Sequence, residues 1–182
     1  MALLRYLKLR SLLREDTPLA DFMQMAFFRD GLPDQELSVY KAAPEQAQQV
    51  VAEHSASFSN PPAEDTAGLL DLDGLVGASQ LVQTTGKTRF VFTQAVHHDV
   101  VSSGPDKVID LATRAWLQRG DRNHSVDPEA VRGYACSRMR AADPEWTCLV
   151  DESGKRRWKK WLSGCDALSM TDGPNGSEPP AT

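Results

Sequence analysis

A chain of 182 residues with 41% apolar and 25% charged side chains can bury one ordinary core, which excludes disorder throughout and a disulfide-stapled miniature. The net charge of −5 conceals a pattern: residues 1–14 and 155–160 hold nine of the twenty basic residues, and residues 15–154 carry a net −11. An acidic body with two basic ends excludes a duplex-DNA binder working through a broad positive face, and no apolar run reaches the ~20 residues of a membrane helix.

The leucines of residues 3–13 fit a helix as well as a strand, and the four cations of residues 1–14 are interspersed among them, breaking up the apolar stretch that a secretory leader needs. For a mitochondrial presequence the segment is short of serine. Thr17-Pro18 predicts a helix start, with Leu19, Phe22, Met23 and Ala26 as its apolar face and Asp30-Gly31 as its end. Leu37 to Lys41 reads as a short strand, and Pro44 opens a helix to His54 with Ala47, Val50 and Val51 inward. Residues 55–66 are rich in serine, proline and acid and predict a surface loop.

Segments 68–72, 75–84 and 87–96 predict a small antiparallel β-meander, turned at Asp73-Gly74 and at Thr84 to Lys87. After Gly104-Pro105, Val108, Ile109, Ala112, Ala115 and Trp116 recur at helical spacing up to Gly120. Asp127-Pro128 caps a further helix, with Val131, Tyr134, Ala135 and Met139 inward, and Asp143-Pro144 closes it. Residues 146–150, the turn 151–154 and residues 155–162 read as a hairpin. The expected architecture is therefore α+β: a β-meander with packed helices, a C-terminal helical pair and hairpin, and a disordered tail over 169–182. Residues 1–168 are expected to form one domain, with a potential subdivision near 103.

Phe28-Arg29-Asp30-Gly31, Glu36-Leu37-Ser38-Val39, the helix to His54, the meander and His97-His98 resemble a pattern in small uncharacterised bacterial proteins with an LSV strand and a downstream histidine at a strand end. The resemblance covers residues 28–100, departs at Asp99, where a small apolar residue commonly follows the histidine, and implies a bacterial cytoplasmic origin without a known activity.

Candidate chemistry is sparse. His54, His97-His98-Asp99 and Asp110 or Asp127 follow the His…His-Asp…Asp order of HD-type metal phosphohydrolases, but neighbouring residues on a strand point to opposite faces, so His97 and His98 are not expected to share a metal. Cys136, inside a predicted helix, reads as a packing thiol, and with no Cys-x-x-Cys pair the three cysteines Cys136, Cys148 and Cys165 are expected free in a reducing cytoplasm. Gly86-Lys87-Thr88 lacks the glycine of a phosphate loop. No catalytic residue, metal ligand or cofactor is assigned.

The strongest local signal is Lys155, Arg156, Arg157, Trp158, Lys159, Lys160 and Trp161. Three readings compete: a basic patch for an acidic protein partner, a single-stranded nucleic-acid clasp whose indoles stack on bases, and an exposed hairpin strand whose tryptophans pack on the body. The preferred expectation is a non-catalytic bacterial interaction or regulatory protein acting through a protein partner. A single-stranded nucleic-acid binder is its alternative, and a hydrolase around His97, His98 and Asp99 stands third.

Overall fold

The structure, a computed structural model, describes residues 1–58, 61, 67–151 and 156–165. Its elements are β1 (Ala2–Leu7), α1 (Leu19–Ala26), β2 (Phe28–Arg29), β3 (Leu32–Pro33), β4 (Glu36–Ala42), α2 (Ala47–Ser57), β5 (Gly68–Asp71), β6 (Leu81–Gln83), α3 (Val91–Val96), β7 (His97–Val101), α4 (Pro105–Leu117), β8 (Asn123–His124), α5 (Pro128–Arg140), α6 (Pro144–Asp151) and α7 (Arg156–Leu162). Six strands form one antiparallel sheet in the order β6-β7-β4-β1-β5-β8, so the chain is α+β. Asp30 and Gly31, both at positive φ, turn the separate hairpin β2-β3.

Helices cover both faces of the sheet. Leu3, Leu7, Leu37, Val39, Leu70 and Val100 pack against α1 and α4. Leu4, Tyr40, Ala42 and Leu69 join the core formed with α2, α5, α6 and α7. A strand buried on two sides has no period-two alternation. That is why β1, with Ala2, Leu3, Leu4 and Leu7 all buried, looks helical as easily as extended.

Local rules account for several elements. Pro105 opens α4, which buries Val108, Leu111, Ala112 and Ala115. Asp127 caps α5 by accepting the Glu129 N–H at 3.0 Å.

Three expectations need correction. The predicted meander does not form: β5 pairs with β1 and β8, β6 pairs with β7, and the third predicted strand, over 87–96, gives way to the helix α3 ahead of β7. Its strand-like residues are recruited by tertiary contacts: Phe90 is buried against Trp146, and the buried carboxylate of Glu53 receives the Thr93 N–H at 3.2 Å. The hairpin over 146–162 is instead the helix pair α6 and α7, with Trp146 and Leu149, and Trp158 and Leu162, buried at helical spacing. The expectation of three free thiols fails because Cys136 and Cys165 form a disulfide, which leaves Cys148 free. The predicted tail over 169–182, the centre of the predicted turn at 151–154 and most of the predicted loop at 55–66 lie outside the described residues.

Candidate functional site

In the basic-aromatic segment, helix geometry sorts the side chains by face. Arg156, Arg157, Lys159 and Lys160 are exposed, whereas Trp158 is fully buried and Trp161 half-buried; Lys155 lies outside the described residues. Trp158 meets Trp146 edge-on with ring centres 5.6 Å apart and Trp161 at 5.4 Å. The Arg132 guanidinium lies over the Trp161 ring at 5.3 Å. Among the described residues, no ion pair engages the four exposed cations. Among the described residues the buried indole N–H groups of Trp158 and Trp161 find no hydrogen-bond partner, which offsets part of the gain from burying the rings. Past its last turn, α7 is tied to the buried Cys136 of α5 through Cys165.

The histidines are distributed otherwise than the metal-hydrolase order suggests. His97 and His98 open β7 opposite Tyr40 and Val39, and so project to opposite faces. His54 approaches His97 instead, with the Tyr40 ring between them. The Tyr40 hydroxyl is 2.5 Å from His54 Nδ1, the Tyr40 and His97 rings meet edge-on at 5.3 Å, and Tyr6 stacks on His54 at 4.2 Å. His97 Nδ1 is 2.6 Å from the Thr84 hydroxyl. Burial, reinforced by Arg5, His97 and Lys8, pushes His54 down to about 3, so it stays a neutral imidazole at pH 7. Asp99 is occupied by Lys87 at 3.1 Å and by the Ser38 hydroxyl at 3.3 Å. His98 Nδ1 is 2.9 Å from the Val96 carbonyl. Among the described residues, no three His, Cys, Asp or Glu side chains gather to hold a metal.

One polar cluster has no counterpart in the sequence reading. Glu53, only 1% exposed, accepts from the Tyr134 hydroxyl at 2.5 Å, Gln49 Nε2 at 3.1 Å and the Thr93 N–H. It lies at a cleft of about 540 Å³ lined also by Val91, Phe92, Arg138 and Glu145. Burial, with Asp143 and Glu53 nearby, raises the Glu145 carboxyl above the usual range, and Arg138 is paired to Asp143 at 2.6 Å. Nothing in the spacing of these residues could have announced the cluster, because α2, α3, α5 and α6 each supply part of it.

No family model, curated protein or solved structure matches the chain.

The chemistry of these three places differs. In the cleft, the buried carboxylate is committed to the fold. Glu53 ties α3 and α5 to α2, and a carboxylate in that position costs several kcal/mol unless it is bonded as this one is. The Tyr–His cluster holds neutral rings in packed contact. Cys136 has its sulfur in a disulfide, so it is no nucleophile in this state. Only α7 presents several like charges to solvent without partners among the described residues. Among those residues no helix is long and apolar enough to cross a membrane.

Proposed function

We propose that this chain is a bacterial, cytoplasmic, non-catalytic interaction protein that docks an acidic segment of a protein partner on the outer face of α7. The supporting observation is the arrangement of Arg156, Arg157, Lys159 and Lys160: four exposed cations within five residues, on a helix held in place by Trp158 and Leu162. Clustered positive charge speeds and orients the encounter with an acidic partner. The single-stranded nucleic-acid reading needs rings that can stack on bases, and the burial of Trp158 together with the Arg132–Trp161 contact disfavours it.

Fluorescence anisotropy with a labelled twelve-residue glutamate-rich peptide and a labelled twelve-nucleotide oligothymidylate tests the proposal. The expected result is salt-sensitive peptide binding that falls at least tenfold when Arg156, Arg157, Lys159 and Lys160 are all replaced by glutamate. Tighter binding of the oligonucleotide, or peptide binding indifferent to the four replacements, overturns it. Sedimentation at the same concentrations covers the remaining occupant: self-association through the acidic body, lost in the fourfold variant, would make the partner a second copy and refute the proposal.

A further inference from the structure

We infer that the Cys136–Cys165 bond is a thiol-sensitive clip on the docking helix, so that its reduction loosens α7 and weakens binding of the acidic partner. The inference rests on the docking role proposed for α7.

The bond joins α5, through a fully buried sulfur, to the residue three positions beyond the end of α7. A helix of seven residues is too short to persist unaided, so α7 depends on what fastens it. Non-covalently it has the buried Trp158 and Leu162 and the half-buried Trp161 under Arg132, and the buried indole N–H groups of Trp158 and Trp161, without a hydrogen-bond partner among the described residues, subtract from that hold. The covalent tie closes a segment of 29 residues, and opening such a segment raises the detached population on the order of a hundredfold. In a cytoplasm, a disulfide exchanges with the thiol pool, and those found there are commonly redox-sensing. The same bond therefore supplies both an anchor and a way to release it.

A dithiol carries out the reduction in two exchanges. One of its thiolates attacks the half-buried Cys165 sulfur, forming a mixed disulfide and expelling Cys136 as a thiolate that takes up a proton. The second thiol of the reductant then attacks its partner sulfur, frees the Cys165 thiol and leaves as a cyclic disulfide. Two electrons pass from the dithiol to the bond, and two protons end on the cysteines. With α7 detached, its four cations no longer share one surface.

The test compares full-length protein before and after dithiothreitol. Alkylation under denaturing conditions should label one cysteine in the oxidised chain and three in the reduced one. Trypsin should cleave at Arg156, Arg157, Lys159 and Lys160 tens to hundreds of times faster after reduction, while Lys41 in β4 stays protected in both states. C165S should behave like the reduced protein and ignore the reductant. Three labelled cysteines after equilibration with oxidised glutathione, equal cleavage rates at α7, or cleavage at Lys41 as fast as at α7 would each overturn the clip. Binding of the glutamate-rich peptide is read separately. Peptide binding that is unchanged by reduction refutes the clip and leaves docking standing. A clip that operates in an oxidised chain unable to bind the peptide refutes docking instead.

Discussion

Replacing Cys165 by serine isolates the energetic contribution of the bond, because the partner sulfur stays packed in α5 and Cys165 itself is only half-buried. In the chain-entropy account, a bond closing 29 residues restrains the unfolded chain by about 3–4 kcal/mol. In a protein of this size, 1 kcal/mol displaces the melting temperature by roughly 2–4 °C. C165S should therefore melt about 6–16 °C below the oxidised protein. Thermal unfolding followed by circular dichroism, with and without dithiothreitol, reads this directly. The reductant should lower the wild-type melting temperature to that of C165S and leave the variant unmoved. Cys148→Ser serves as the control, since Cys148 is free and its thiol makes two modest contacts, donating to the Glu145 carbonyl at 3.2 Å and accepting from the Arg89 guanidinium at 3.5 Å. A C165S melt within about 2 °C of wild type, in protein whose cysteine labelling confirms the bond, would refute the entropic reasoning.

Acid should weaken the fold through His54. Its folded value is about 3 and its unfolded value near 6.5, so only the unfolded chain takes up the proton as pH falls below 6.5. The stabilisation is complete above that pH and declines towards 3. It amounts to up to about 2 kcal/mol by pH 5, and urea unfolding of H54Q should show that much less loss between pH 7 and 5 than wild type. Tyr134→Phe removes the hydroxyl that donates to buried Glu53 and should cost roughly 2 kcal/mol by urea unfolding without displacing α5; neutral stability would mean the bond is idle. Gly31→Ala places a Cβ at φ 81° in the β2-β3 turn and should cost about 1 kcal/mol in the same assay, whereas a stabilised variant would mean the turn is misassigned.

What is legible in the sequence follows from how local each cause is. The cap Asp127-Pro128 acts within one turn, and the spacing of α4 repeats over thirteen residues, so both elements can be read directly. The pair Asp143-Pro144 reads in the sequence as a stop for α5. It also starts α6, with Asp143 accepting the Glu145 N–H at 2.9 Å as Asp127 accepts that of Glu129. The same cap used twice is the local signal that speaks against a hairpin there. Residues 87–96 are a different case, because their composition does favour a strand and only distant partners, Glu53 and Trp146, draw them into α3. The disulfide is equally hidden, since an odd number of cysteines, widely spaced, carries no pairing information. For the site, the sequence locates the cations, but the face on which the indoles lie depends on helix or strand geometry: a strand would turn the two rings, three residues apart, to opposite faces, whereas the helix draws both towards the core.

The placement of charge within α7 separates a docking face from a merely soluble one. Lys159 and Lys160 lie in the last turn, where the helix dipole welcomes cations. Arg156 and Arg157 lie in the first turn, which holds no acid, and there the same dipole opposes them by about 0.3–1 kcal/mol each. A helix selected for stability alone gains by carrying acids at its start. Replacing Arg156 and Arg157 by glutamate should therefore stabilise the protein by about 0.5–2 kcal/mol in urea unfolding while weakening the glutamate-rich peptide at least tenfold. Opposite signs for stability and binding are what a surface kept for its partner produces. If the double replacement raised stability and left peptide binding intact, the two arginines would be serving neither the fold nor docking, and the case for α7 as an interface would fail with them.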